Sequence, residues 1–274
     1  MVSRLVQNTK VMKHAATFLL PSSAVSATNR LAQTYALVVL NQQIPKFTPL
    51  LWSHAKLRIC ADGGANRIFD GVPKLFPDQN QLNIQHRYVP NVIKGDMDSI
   101  RPEVHQFYAE LGSEIIDNSE NQDTNDLHKC ISFIREQTSA FDHSNFCTLV
   151  TGALGGRFDH EAANLNALYV FSDMRIVLLS DDCQIRLLPK THQHEIHIQS
   201  TIEGPHCGLF PIGGPSVSTT TTGLTWDLCN SEMKFGSMIS TSNKVREEKV
   251  TVCSDADLLW TISLKTPIHM GLTC

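Results

Sequence analysis

The chain has 274 residues, 42% hydrophobic and 18% charged, with a formal net charge of -4 at pH 7. A pI near 6.3 and mean hydropathy of -0.12 are globular values. They lack the basic excess of a nucleic-acid binder, and no run of about 18 apolar residues is long enough to span a membrane as a helix. The eight cysteines stand singly with no C-x-x-C pair. That spacing argues against a disulfide scaffold or zinc knuckle, and for reduced thiols in an intracellular protein.

From the N-terminus, seven basic residues (Arg4, Lys10, Lys13, Arg30, Lys46, Lys56, Arg58) precede the first acid, Asp62. With Ser22, Ser23 and Ser26 this has the acid-poor composition of an organelle transit peptide. It equally suits a basic tail entering a normal first strand, and the strand-like run 35–40 inside the acid-free region favours the tail. Residues 1–33 are therefore expected to be an extension, disordered in this reading, of a cytoplasmic protein, with organelle targeting as the alternative.

Short β-branched runs follow at 35–41, 57–60, 91–94, 114–117, 146–151 and 175–180. Between them, Leu127, Cys130, Ile131 and Ile134 form the i, i+3, i+4, i+7 stripe of an amphipathic helix, as do Phe158, Ala162, Leu165 and Tyr169. Strand-helix alternation predicts an α/β domain over 34–190, a mostly parallel sheet with helices on both faces. Beyond about 190, glycine, proline and threonine become frequent. Strands are expected at 196–198, 208–211, 223–228, 235–240, 249–252 and 258–264, forming an antiparallel β-sandwich over 191–274. The boundary is expected between Pro189 and His194.

Four motifs sit at expected strand ends, where open α/β sheets collect ligands. Lys94-Gly-Asp-Met-Asp-Ser99 places Asp96 and Asp98 on one side of extended backbone. Two carboxylates about 4 Å apart repel by about 4 kcal/mol at an effective dielectric near 20, which a hard divalent cation offsets; a solvated turn is the other reading. Asp123 and Asp126 share the first turn of the next helix. Asp123 suits an N-cap, whereas Asp126 adds a third carboxylate to Asp96 and Asp98. Thr151-Gly-Ala-Leu-Gly-Gly-Arg-Phe-Asp-His160 combines glycines, a helix start and Arg157, all suited to phosphate, though a tight turn also needs glycine. Cys60-Ala-Asp-Gly-Gly-Ala-Asn-Arg67 repeats the theme. His192, His194 and His197 read as a solvated strand face, being one residue short of H-E-x-x-H.

These motifs, with Gln122-Asp-Thr-Asn-Asp-Leu127, Thr222-Gly-Leu-Thr-Trp-Asp-Leu228 and Phe235-Gly-Ser-Met-Ile-Ser-Thr-Ser-Asn243, resemble the signatures of the thiamin pyrophosphokinases, in the family's order, over residues 34–265. The resemblance implies pyrophosphoryl transfer from ATP to thiamin in a homodimer whose active sites are shared between subunits. It implies Mg²⁺ on Asp96, Asp98 and Asp126, with Arg157 beside them in catalysis. ATP would meet Asp62, Gly63, Asn66, Arg67, Gly155, Gly156, Arg157 and Asp159. Thiamin would meet Gln122, Trp226, Ser240, Ser242 and Asn243, its cationic ring stacked on indole. Two residues depart from the family pattern: Met97 stands where Phe is usual and Asn125 where Thr is usual. The rival readings, another ATP-dependent transferase or a non-catalytic sensor, explain Trp226 and the clustered acids less well.

Overall fold

The computed structural model describes residues 10–20, 34–120, 123–137 and 146–265. The chain divides into two units, one of residues 21–181 and one joining residues 1–20 to 182–274.

Strand β1 (Lys10–Ala15) belongs to the second unit. The first unit runs β2 (Thr34–Val39), α1 (Thr48–His54), β3 (Leu57–Ala61), α2 (Gly64–Lys74), α3 (Gln81–Arg87), β4 (Val92–Gly95), α4 (Pro102–Glu110), β5 (Glu114–Asp117), α5 (Asp126–Gln137), β6 (Phe146–Thr151), α6 (Phe158–Val170) and β7 (Ile176–Leu179). Its strands lie in the order β7-β6-β2-β3-β4-β5, and every pairing is parallel. The expected α/β domain is therefore present. A parallel sheet is covered on both faces, which is why Tyr35, Ala36, Leu37, Val38 and Val39 are all buried without alternation. From β2 the chain builds outward through β3, β4 and β5, then crosses back to place β6 on the other flank of β2. The order reverses between β2 and β6, and such a switch point opens a crevice at the carboxyl ends of the strands.

The second unit adds β8 (Cys183–Leu188), β9 (His192–His197), β10 (Glu203–Phe210), β11 (Ser216–Thr222), β12 (Ser231–Met233), β13 (Ser240–Lys244), β14 (Lys249–Ser254) and β15 (Leu258–Leu264). One set pairs antiparallel as β13-β10-β15-β8, and another runs β1-β9-β14-β11-β12. Leu188, Ile196, Leu209, Val250, Val252, Leu258, Trp260 and Ile262 form its core. In β8 every second residue is buried, the period-2 signature of a sheet with one covered face.

Three expectations are corrected here. The change of unit falls at 181/182 rather than between Pro189 and His194, because β8 alternates and pairs with β15. Residues 223–228 and 235–240 are not strands but largely turns. The extension expected over 1–33 includes a strand, since β1 pairs parallel with β9 from Lys10↔His192 to Ala15↔His197. Met12, His14 and Ala16 turn inward while Val11 and Lys13 face solvent, a strand pattern hidden by the basic residues. The rest of the transit-peptide reading, on residues 1–9 and 21–33, lies outside the described residues.

Of the three histidines, His194 differs from the solvated face expected of them. His194 is 2% exposed, its Nε2 donates to the Pro189 carbonyl at 2.9 Å, and its Nδ1 accepts from His14 Nε2 at 3.0 Å. Burial pushes the His194 pKa down to about 4, with the Pro189 contact opposing. An unfolded histidine titrates near 6.5, so between those values the unfolded chain holds the extra proton. Stability is thus complete above about pH 6.5 and falls by up to about 3 kcal/mol as pH drops to 4. Urea unfolding between pH 7 and 4.5 should show this slope in the wild type and a shallower one in His194→Gln. Equal slopes would exclude His194 as its source.

Candidate active site

All strands of the parallel sheet end on one edge, so Asp62 after β3, Asp96 after β4, residues 41–42 after β2 and the glycine loop after β6 emerge together. One carboxylate oxygen from each of Asp62, Asp96 and Asp126 lies within 4.8 Å of the others. Asp62 is 1% exposed, and its two oxygens accept the Ser99 and Ile100 amides at 2.9 Å each. That clasp bends residues 96–99 into a turn with Met97 left-handed at φ 62°, a conformation costing about 1–2 kcal/mol. The extended backbone expected for Asp96 and Asp98 is corrected accordingly. Asp96 is half-buried beside Asp62 and Asp126, whereas Asp98 is exposed and its Oδ1 accepts the Ser99 hydroxyl at 2.7 Å. Asp98 still lies close enough to raise the Asp62 and Asp126 carboxyls.

Asp126 is the most perturbed of the set. Burial first, then the charges of Asp96 and Asp62, push its pKa up to about 6 against the pull of Lys129. Lys129 is 5% exposed, with its ammonium 4.0 Å from Asp96 and 3.9 Å from Asp126. Asp126 opens α5, and Asn125 caps it by accepting the His128 amide at 2.8 Å. Asn125 thus fills the N-cap role expected of Asp123.

Gly95 is what lets these acids close. A methyl group there would stand 2.7 Å from Asp62 Cβ and 3.1 Å from Asp126 Oδ1. Gly95→Ala should therefore cost about 1–3 kcal/mol in denaturant unfolding, the usual range for overpacking. A variant as stable as the wild type would mean that the turn yields at no cost.

The two glycine loops converge on the residues after β2. A Cβ on Gly63 would fall 2.3 Å from Asn41 Nδ2, and one on Gly156 would fall 2.4 Å from Gln42 Nε2. Several expected nucleotide contacts are engaged with protein. Asn66 donates to the Ser99 carbonyl and accepts the Arg101 amide, while Arg67 Nε donates to Asn41 Oδ1. Arg157 and Asp159 pair with each other, and the Arg157 side chain is 70% exposed. Gly155 lies in the same loop with open space around it. Gln122 lies outside the described residues.

In the second unit Trp226 rides a turn fastened by Asp227, whose Oδ1 accepts the Leu224 amide and the Thr221 hydroxyl. Its ring is 59% exposed, whereas Trp52 and Trp260 are buried. Asn243 is buried and clasps the Trp226 backbone both ways, accepting its N–H at 3.2 Å and donating to its carbonyl at 2.9 Å. Asn243 also donates to Ser240 Oγ at 3.3 Å. Asn243, expected to touch thiamin, thus holds the tryptophan's backbone, and Ser240 braces Asn243. Ser242 is exposed, with φ 55°.

Two family models match this chain: the thiamin pyrophosphokinase catalytic domain over residues 48–178, and the thiamin pyrophosphokinase vitamin B1 binding domain over 193–259. The chain belongs to the thiamin pyrophosphokinase family. It is 65% identical to thiamine pyrophosphokinase 2 of Oryza sativa subsp. japonica, across 97% of this chain and 99% of the relative. It is also 65% identical to thiamine pyrophosphokinase 1 of Arabidopsis thaliana, across 93% and 94%. Yeast thiamin pyrophosphokinase shares the fold, with a TM-score of 0.79 at 22% identity over 100% of this chain and 96% of that one. That of Candida albicans scores 0.75 at 24% identity over 93% of each. The chain's reaction is that of a thiamin pyrophosphokinase, ATP-dependent pyrophosphoryl transfer that makes thiamin diphosphate. Of the two departures, Asn125 replaces one good helix cap with another. Met97 carries a left-handed backbone whose geometry the Asp62 clasp imposes.

Asn41, Gln42 and Lys129 were missed by sequence reasoning. Asn41-Gln42 directly follows a fully buried strand, which marks the pair as a strand-end loop. Lys129 stands between the apolar stripe of α5 and Asp126, three residues away, which gave a usable signal.

Proposed function

We propose that the chain binds ATP at the β2–β6 switch point and passes its terminal pyrophosphoryl group to the thiamin hydroxyl, with Mg²⁺ held by Asp96 and Asp126 and by Asp98 at the open side. The observation that carries this reading is the crowding of acidic oxygens within 4.8 Å at a strand-end crevice. Hard oxygen donors with excess negative charge fit a hard divalent cation, and the Asp126 carboxyl is raised by burial first and by its charged neighbours second. Bound there, Mg²⁺ would neutralise charge on the phosphate oxygens.

The protein's own work is alignment and charge. Asp62 shapes the turn that presents Asp96 and Asp98. Amides of the loop after β6 and the guanidinium of Arg157 receive phosphate oxygens, the latter as a two-pronged fork once released from Asp159. Trp226 offers its face to the thiazolium cation, with Gln122 as a further thiamin contact. The hydroxyl proton passes to a carboxylate oxygen of Asp96 or Asp98 as oxygen attacks the β-phosphorus and AMP leaves. Incubation with ATP, Mg²⁺ and thiamin, read by mass spectrometry, should give AMP and thiamin diphosphate in equal amounts. ADP with thiamin monophosphate would sink the mechanism.

The working form is proposed to be a homodimer with each site shared between copies. Asp96→Ala and Trp226→Ala chains, unfolded together and refolded, should then regain about a quarter of wild-type activity, since half the dimers are mixed and each has one intact site. Activity no higher than the average of the two variants would mean one chain supplies both residues. The cytoplasm is the proposed compartment. Cleavage of a leader beyond Lys10 would cut into β1, a strand of the second unit.

A further inference from the structure

Two lysines are buried in the first unit, and they are partnered differently. Lys94 Nζ donates to the Asn118 side-chain carbonyl at 2.5 Å and lies 5.4 Å above the Phe133 ring, both neutral groups. The acids drawn near the Lys129 ammonium are Asp96 at 4.0 Å and Asp126 at 3.9 Å. Its side chain is 4% exposed, so the charge is held within the protein rather than sampling solvent. A buried ammonium is costly unless paired, and so is a knot of carboxylates. Each offsets the other here. The spacing matters as much as the pairing. At 3.9–4.0 Å the ammonium is beyond the 2.7–3.2 Å of an N–H···O bond, so it neutralises the oxygens without latching onto them.

We propose that Lys129 is the resident counter-cation of the carboxylate cluster, holding Asp96 and Asp126 together while no metal is bound and opposing the metal's charge once it arrives. This rests on the reading of the cluster as the Mg²⁺ site. Lys129 is then a positioning residue, and it weakens the metal's hold by design of its charge. The unloaded cluster thereby keeps part of its negative charge offset, which lets it release metal with product without flying apart. A lysine that merely filled space would do neither.

The test uses the full chain with Lys129→Met, Lys129→Arg, Asp96→Asn and the double variant Lys129→Met/Asp96→Asn. In EDTA, Lys129→Met should melt lower than wild type, and adding Asp96→Asn should restore much of that loss, because removing one negative charge substitutes for adding a positive one. If the single variant fails to fold in EDTA, recovery of folding in the double variant supports the proposal equally. No recovery, in melting or in folding, overturns it. Magnesium chloride alone is then titrated while melting is followed. The apparent Kd for Mg²⁺ should tighten about tenfold in Lys129→Met, or about 1.4 kcal/mol, and stay near wild type in Lys129→Arg. Unchanged or weaker Mg²⁺ binding in Lys129→Met, with a normal wild-type response, overturns the counter-cation role and spares the metal site. A wild type indifferent to Mg²⁺ overturns the metal reading, and the opposition of Lys129 to the metal with it.

Discussion

Replacing Asp96 by asparagine is expected to lower kcat by about 10²–10³-fold, the loss typical when one preorganised charge is removed from a reacting centre. The substitution keeps shape and removes charge, so the backbone turn clasped by Asp62 should survive. Melting should stay level or rise, because Asp96 is one of the charges that push the Asp126 carboxyl up to about 6. Acidic residues crowded at a functional site seldom help the fold. The combination is the informative result: large loss of turnover, no loss of stability, and an Asp126 carboxyl that falls back toward the ordinary carboxylate range in an NMR titration. Asp98→Asn should also lose activity, though Asp98 is exposed and outside the closest trio, so the smaller loss is expected there. Near-normal turnover in Asp96→Asn at saturating Mg²⁺ would remove Asp96 from the chemistry.

Trp226→Ala should raise the KM for thiamin about 5- to 30-fold, the 1–2 kcal/mol expected of a cation stacked on indole, and leave the KM for ATP alone. Little stability is at stake, since the ring is 59% exposed and truncation opens no core cavity. Asn243→Ala separates positioning from contact. It removes both hydrogen bonds to the Trp226 backbone, so thiamin KM should rise while unfolding costs fall by about 1–3 kcal/mol. Parallel rises in both Michaelis constants for Trp226→Ala would make it a packing residue.

The architecture was legible wherever one physical rule decided it. Continuous apolar strands alternating with amphipathic stripes can bury themselves only as a covered parallel sheet, and that is how β2 and β6 fold. Strand-end acids and glycines were legible for the same reason, as polar residues placed directly after buried runs. Where long-range partners decide the outcome, local pattern failed. Lys10–Ala15 reads as a tail until β9 supplies its ladder and His194 receives His14. The segment carrying Trp226 has strand-forming residues, yet Asp227 and Asn243 fold it into a turn that no local propensity encodes. Asp98 reads as the twin of Asp96 in extended backbone. The distant carboxylate of Asp62 bends the segment and sends the two apart.

The central claim is that Asp96 and Asp126 hold the metal on which ATP is aligned. Manganese serves as a paramagnetic substitute, and its bound fraction can be counted by electron paramagnetic resonance in the presence of ATP and absence of thiamin. The wild type should bind Mn²⁺ saturably, and Asp126→Asn should weaken that binding by at least about tenfold, the lower end of what losing a carboxylate near a metal costs. Undiminished Mn²⁺ affinity in a folded Asp126→Asn protein would contradict the account.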